Sequence, residues 1–285
     1  MIKNNACKKN DYYNCINLFF KNRWLSSKEK ELRELINFCD KKESKDLLFS
    51  LLGRFYYLDY ENYNTILNGI ADYIVNDSGF CEVNTQLLSL TWDEEADSSQ
   101  RVLDSIKHPV YKRGWHSIKT VNVFGKAINA YSTGKTQILM IDEFIGSGKT
   151  LKNRLNYLRK NIQGKFEVKC CFVAGIKPVI SELTEEGVDI FCPLQFDKGI
   201  SDYFKGTELS TVEDLMLDLE LKLAQKINEK ELYNYSFGYG SAEALYTMEG
   251  CNGNTPNSTF PIFWWLQDKN GNLRNTLLTR FEIGF

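Results

Sequence analysis

The chain has 285 residues, a formal charge of −2, 43% apolar residues and 25% charged residues. That is ordinary globular usage, at a length that buries one large core or a core with a helical appendage. The near-neutral balance excludes a whole-molecule electrostatic grip on nucleic acid or acidic membrane, and leaves a local basic surface open.

The first residues, MIKNNACKKNDYYN, hold no apolar core of leader length, so no secretory signal is expected. Residues 1–78 read as a helical region. Ser26 with Glu29 three residues on has the capping-box pattern, and Leu32, Leu35, Ile36 and Cys39 follow at helical spacing. SKDLLFSLLGRFYYL and ENYNTILNGIADYIV repeat that pattern, with Tyr12, Tyr13, Phe19, Phe20, Phe55, Tyr56 and Tyr57 as expected core aromatics.

After NDSGF the texture changes. CEVNTQLLSLTW predicts a strand, DEEADSSQRVLDSIK a loop feeding a short helix capped by Asp97 or Ser98, and the basic stretch from His108 to Thr136 a long loop or hairpin. QILMID predicts a buried strand. GKTLKNRLNYLRKNI predicts a helix with Leu151, Leu155 and Leu158 on one face. EVKCCFVAGI predicts a strand, PVISELTEEG a helix ended by Gly187, and VDIFCPLQF a further strand. Such alternation implies an α/β domain over residues 79–285, with a mainly parallel sheet covered by helices on both faces. An amphipathic helix is expected over 211–230, then a tail (231–285) rich in glycine, asparagine and aromatics, with a short hairpin around KNGN.

The eight cysteines make no C-x-x-C pair, and Cys170, Cys171 and Cys192 lie in apolar runs as expected buried thiols. Two histidines exclude a histidine-rich metal site. No run reaches the roughly 18 apolar residues of a membrane span. The chain is expected to be cytoplasmic, in a reducing compartment.

QILMIDEFIGSGKTL poses the functional question. A nucleotide-binding P-loop needs glycine five positions before Gly148, and residue 143 is glutamate. A carboxylate there would face the phosphates, where glycine is needed for a tight turn. The pieces fit a different chemistry. An apolar strand delivers Asp142 and Glu143 at its carboxyl end, where open α/β sheets bind ligands. Ionised carboxylates accept hydrogen bonds, and the two hydroxyls of a ribose donate them. Gly146, Ser147, Gly148, Lys149 and Thr150 follow, with close backbone access, hydroxyl donors and a helix N-terminus. A carboxylate pair beside a seat for one phosphate suits ribose 5-phosphate.

This stretch resembles the signature of type I phosphoribosyltransferases. The wider chain resembles their divergent PRTase-CE-like branch in bacterial conflict systems, including retron anti-phage cassettes, and PNSTFPIFWW resembles that branch's C-terminal element. The firm resemblance covers about residues 80–200. It implies phosphoribosyl pyrophosphate, or a related ribose 5-phosphate nucleotide, as ligand. Mg²⁺ would be held by Asp142 and Glu143 through water and substrate oxygens. Lys149 departs from the small residue usual at that loop position. The diphosphate loop is less plain; its candidates are Asp97, Ser98 and Ser99 in ADSSQ, with Lys112 and Arg113 (beside His116) in a basic stretch, and Lys177 or Lys198 as substitutes. The acceptor pocket should be partly aromatic, and its candidates are Phe144 and, in a hood-like tail, Asn257, Thr259 and Phe260, with Trp264 and Trp265 nearby.

Three functions compete. The first is a ribosyl phosphate transferase acting as an anti-phage effector, and the second a non-catalytic, nucleotide-sensing regulatory subunit on the same fold. The third is P-loop NTP hydrolysis. The resemblance also implies cassette partners, either a reverse transcriptase with its nucleic acid or a DNA-binding subunit. Homo-oligomerisation and the acceptor are left open.

Overall fold

The computed structural model describes residues 9–92 and 98–281. The chain divides into two compact units, one formed by residues 1–58 with 198–285 and the other by 59–197. The division expected at 78/79 falls inside the second unit.

The first unit opens with helices α1 (Lys9–Lys21), α2 (Glu29–Asn37) and α3 (Lys42–Gly53) and the two-residue strand β1 (Tyr56–Tyr57). The capping box at Ser26 does not form: Ser26 lies inside a 3₁₀ turn (Arg23–Lys28) that runs into α2, and Glu29 pairs with Arg33 at 2.6 Å. The expected stripe does form, with Leu32, Leu35, Ile36 and Cys39 all buried.

The second unit begins with α4 (Tyr60–Asp72), capped by the Asp59 carboxylate. Then come β2 (Thr85–Ser89), α5 (Ser98–Lys112), β3 (Lys119–Val121), α6 (Ala127–Ser132), β4 (Gln137–Ile145), α7 (Lys149–Asn161), β5 (Glu167–Ile176), α8 (Lys177–Glu185), β6 (Asp189–Phe191) and β7 (Leu194–Phe196). The sheet is parallel in order β3-β2-β4-β5-β6, with β7 also on β5. This is the expected α/β architecture. Where VDIFCPLQF was read as one strand, Pro193 interrupts it, because proline has no N–H for the ladder. The basic stretch from His108 to Thr136, expected as a long loop or hairpin, begins as the end of α5 and continues through β3 and α6. The buried stripe Val102, Leu103, Ile106, Val110 continues past Pro109, and its packing outweighs the bond the proline removes. Leu151, Leu155 and Leu158 of α7 are buried as expected, packed in one cluster with Ile138, Met140, Cys170 and Phe172. Burial pushes the thiol of Cys192 up to about 12, so it is unreactive.

The chain then returns to the first unit with α9 (Gly206–Glu220). The helix expected to reach residue 230 stops at Glu220. A two-residue hairpin follows, β8 (Lys226–Ile227) with β9 (Lys230–Glu231), turned by Asn228 at φ 52°. β10 (Tyr246–Thr247) pairs in parallel with β1. The front helices and the tail share one core: Leu25, Leu48 and Leu51 cluster with Met216, Phe260, Phe263, Trp264 and Trp265. FPIFWW is therefore core, folded as a 3₁₀ turn (Pro261–Phe263).

Glu220 is 4% exposed and accepts from Ser236 Oγ (2.5 Å) and Phe237 N (3.0 Å). Burial raises its pKa from 4.5 to about 7. The folded state thus holds a proton that the unfolded state gives up, and this group's stability is full below about 4.5 and is lost as pH rises toward 7. Glu220→Gln is expected to remove that slope, worth on the order of 3 kcal/mol. Urea melts of both proteins between pH 4.5 and 8 check it; parallel stability–pH curves would contradict it.

Candidate active site

The strand order creates a crevice. From β2 the chain crosses to β3 on one side, and from β3 it returns to β4 on the other. The carboxyl ends of β2 and β4 flank this switch point, where open α/β sheets take ligands. β4 also outruns β2. Their pairing ends at Ser89↔Ile141, while β4 continues beside β5 to Ile145↔Gly175. Asp142 is the first residue beyond β2.

The two acids differ in surroundings, as adjacent strand positions must when side chains alternate between faces. Asp142 is half-buried, and its Oδ1 accepts the Glu143 N–H at 2.7 Å. Glu143 is 3% exposed. A carboxylate pair standing side by side is not what the strand presents; Asp142 is the more open of the two.

The bend after β4 is short. Gly146 and Gly148 are buried, Ser147 is half-buried, and Lys149 and Thr150 are exposed. Gly148 occupies the N-cap of α7 at φ 71° with no side-chain cap. The first-turn N–H groups of a helix have no partner within the helix, and they carry the positive end of its dipole. A Cβ at Gly148 would stand 3.1 Å from Leu183 Cδ1 and 3.2 Å from Val179 Cγ1, so the bend packs closely on α8. Lys152 bridges Glu182 of α8 (3.0 Å) and Glu186 at its C-cap (2.8 Å). Because β4 stays extended through Ile145, position 143 is strand, and a P-loop opening there has no place.

The diphosphate candidates scatter. Asp97 lies outside the described residues, and so does the side chain of Ser98, the first residue of α5. Ser99 is buried, its hydroxyl joined to Ser89 Oγ (2.5 Å) and Thr91 Oγ1 (2.7 Å) and accepting Thr91 N–H at 3.1 Å. That trio closes the neck of the loop after β2. Lys112 ends α5 and Arg113 follows it, at the amino edge of the sheet. Lys112 is exposed, and Arg113 grips Asp72 through Nε (2.5 Å) and Nη2 (2.9 Å), a hydrogen bond that holds the Asp72 carboxyl below its ordinary value. Their place at the end of α5, nearly four turns beyond Ser99, separates them from the carboxyl edge. His116 is exposed against Tyr111, ring centroids 4.6 Å apart, and Lys177 is an exposed first residue of α8.

The acceptor candidates fall in different units. Phe144 is half-buried on β4. Asn257, Thr259 and Phe260 belong to the first unit, as does Lys198, whose N–H donates to Asp202. Thr259 is fully buried; its Oγ1 donates to Tyr246 O (2.7 Å) and its carbonyl accepts Trp264 Nε1 (2.8 Å). Phe260 is core, and the Asn257 carbonyl accepts Tyr239 N–H at 2.8 Å. These contacts are the packing reason for the polar Pro-Asn-Ser-Thr run. Sequence reasoning missed Ser89 and Thr91. Their one signal was the hydroxyl residues on both sides of DEEAD.

A family model described as PRTase-CE matches residues 22–280. No curated protein matches the chain. Similar solved structures include orotate phosphoribosyltransferase from Aeropyrum pernix, 11% identical over 54% of this chain and 74% of that one, TM-score 0.31. Purine phosphoribosyltransferase from Pyrococcus horikoshii Ot3 is 14% identical over 49% and 87%, TM-score 0.31. A hypothetical protein from Neisseria gonorrhoeae with bound ppGpp is 12% identical over 56% and 94%, TM-score 0.35. The family match, not these distant likenesses, carries the assignment.

Proposed function

Because the chain belongs to the PRTase-CE family, we propose that the carboxyl edge of its sheet binds phosphoribosyl pyrophosphate, or a related ribose 5-phosphate nucleotide, and transfers the ribosyl phosphate group. One observation carries this reading: a half-buried Asp142 stands at the end of β4, immediately before the uncapped, Gly148-started helix α7. The carboxylate suits a ribose diol, and the bend with the Ser147 and Thr150 hydroxyls suits the 5′-phosphate.

In the transfer the anomeric carbon–oxygen bond breaks, its electron pair leaves with the diphosphate, and the acceptor's lone pair forms the new bond. Positive charge builds on the sugar, so the protein's work is positioning and charge stabilisation. Among the described residues no three His, Cys, Asp or Glu side chains cluster as a metal cage. Mg²⁺ needs none, since it takes one or two carboxylates with ligand oxygens and water. Asp142 fits that demand, with Glu143 behind it, and the ion would neutralise diphosphate charge.

Isotope-labelled phosphoribosyl pyrophosphate incubated with the protein and a cell extract tests the reaction. A ribosyl phosphate adduct with diphosphate release, seen by mass spectrometry, supports it; ligand consumption no faster than in buffer counts against it. Lys149→Ala is expected to weaken ribose 5-phosphate binding by about fivefold, by calorimetry, with ATP hydrolysis at background in both proteins. Hydrolysis that depends on Lys149 would restore the P-loop reading.

A second reading, a nucleotide-sensing regulatory subunit, draws support from the placement of Ser99, Lys112 and Arg113, none of which offers a free group to a diphosphate at the crevice. Binding by calorimetry without any labelled product separates the two. We also propose, on the resemblance of the chain to the conflict-system branch, a role in anti-phage defence in the cytoplasm, beside a reverse transcriptase or DNA-binding partner. Among the described residues no helix is long and apolar enough to cross a membrane. Phage plating on cells carrying the wild-type cassette or its Asp142→Asn form tests that role; equal plating on both would remove the site from it.

A further inference from the structure

The tail of the first unit carries a strained stretch. Five of the seven residues from Phe237 to Glu243 have left-handed backbones, and three of them are not glycine: Phe237 (φ 55°), Ser241 (φ 55°) and Glu243 (φ 51°). A side chain at such a position costs free energy, and the conformation persists only where surrounding contacts impose it. Two buried carboxylates do so here, one at each end. Glu243, 4% exposed, accepts the N–H groups of Ile200 and Ser201, both at 2.7 Å, and the Ser201 hydroxyl. Glu220 of α9 accepts the Phe237 N–H and the Ser236 hydroxyl. Backbone bonds hold the stretch between these clamps. Glu243 N–H donates to Phe237 O at 2.7 Å and closes the stretch into a ring, while Tyr239 N–H donates to Asn257 O and Ala244 N–H to Ser258 O. The Phe237 ring packs 6.2 Å from that of Phe260.

Glu220 has no counter-ion. Burial raises its pKa to about 7, the bonds from Ser236 and Phe237 oppose that rise, and no charged group of the described residues acts on it. The charges on the elements around it are engaged elsewhere. On α9 Asp218 pairs with Lys41, and just beyond the helix Lys222 pairs with Asp40. On α3 Lys42, Glu43 and Asp46 are exposed, and Lys45 acts on the Cys39 thiol. In the tail Lys226 pairs with Glu231, Arg274 donates to the carbonyls of Ile262 and Trp265, and Arg280 donates to that of Thr255. Tyr235, next to Ser236, packs its ring on Trp264 and Trp265. We propose that residues 236–243 form a proton-locked strap, which lies closed while Glu220 is protonated and lifts locally when that proton leaves. An ionised Glu220 in the closed strap is a buried charge facing two neutral donors. Lifting Ser236 and Phe237 lets water reach it and frees Phe237 from its left-handed conformation. The closed form keeps the proton up to about pH 7, and the open form, with an ordinary carboxyl, only up to about 4.5. Opening therefore becomes easier as pH rises between the two. The strap belongs to the first unit and is independent of the crevice reading.

Hydrogen exchange of the full chain tests this, read by mass spectrometry on the peptide spanning 236–244 and expressed as protection relative to intrinsic rates. Wild type, Glu220→Gln and Ser241→Gly are compared. In wild type the protection of that peptide is expected to fall about fiftyfold between pH 5 and 8. At every pH it should exchange ahead of the amides of α3, which are buried in the same unit. Glu220→Gln keeps an acceptor for the Phe237 N–H and cannot titrate, so its protection should be flat across that range. Ser241→Gly relaxes one exposed left-handed position and should raise protection about threefold with the slope unchanged. That variant also carries the test if Glu220→Gln does not fold. Wild-type protection that ignores pH overturns the strap, and so does an equal fall in Glu220→Gln. Protection equal to that of α3 at every pH would mean that only unfolding of the whole unit frees the stretch, and would overturn it too. Lower protection in Ser241→Gly would show that the closed stretch is not strained there, with the same consequence.

Discussion

Asp142→Asn is expected to weaken binding of Mg²⁺–phosphoribosyl pyrophosphate by about a hundredfold, the loss of two charge-assisted hydrogen bonds to a partly shielded ligand. The geometry makes the substitution sharp. One oxygen of Asp142 already accepts the Glu143 N–H at 2.7 Å. An asparagine that keeps that bond must turn its NH₂ outward, placing a donor where the ribose hydroxyls also donate, and it no longer attracts the metal ion. Glu143→Gln changes a residue that is 3% exposed and is expected to weaken binding less than Asp142→Asn. Titration calorimetry on the single variants and on the pair measures this, with circular dichroism to confirm folding. A double variant that binds like wild type would remove the carboxylates from the site.

Gly238→Ala is expected to produce a large loss of stability in the first unit. Gly238 sits at φ 79°, and an added Cβ would lie 1.9 Å from the Ser258 carbonyl oxygen and 2.6 Å from its carbon. Backbone on both sides leaves no side chain to swing away. The left-handed conformation costs about 1–2 kcal/mol and overpacking about 1–3 kcal/mol more. The melting temperature should fall by roughly 10 °C. Gly271→Ala is the control: it has φ 81° with nothing within 4 Å of the new Cβ, so about 1–2 kcal/mol is expected. Differential scanning calorimetry compares the two. Equal losses would mean that the close approach of residues 238 and 258 is unimportant.

The same segment shows where sequence reading works and where it stops. Elements set by local pattern were legible. EVKCCFVAGI is β5 residue for residue, Leu151, Leu155 and Leu158 are the buried face of α7, and Gly187 at φ 86° follows α8. Elements set by contacts far along the chain were not. Helix α5 continues through Pro109 because its stripe stays buried, and α9 stops at Glu220, whose carboxylate serves the chain at Ser236 and Phe237. No local pattern shows the packing duties of the polar Pro-Asn-Ser-Thr run, whose carbonyls and hydroxyls satisfy Tyr239, Ala244, Tyr246 and Trp264. No spacing rule places residues 238 and 258 in contact.

The candidate site divides in the same way. The glycine bend between β4 and α7 was legible, since glycine spacing after an apolar strand signals a tight turn, and Gly148 is the N-cap of α7. The differing exposure of Asp142 and Glu143 follows from strand alternation and was available in the sequence. The placement of Lys112 and Arg113 was not, because it turns on α5 lasting nearly four turns beyond Ser99.

A crystal structure of the protein soaked with ribose 5-phosphate and Mg²⁺ is the most direct measurement of the central claim. The phosphate is expected against the backbone of residues 146–150 at the start of α7, with the ribose hydroxyls on Asp142. Sugar-phosphate density at the amino edge of the sheet, or a bend left empty while the ligand sits elsewhere, would contradict it.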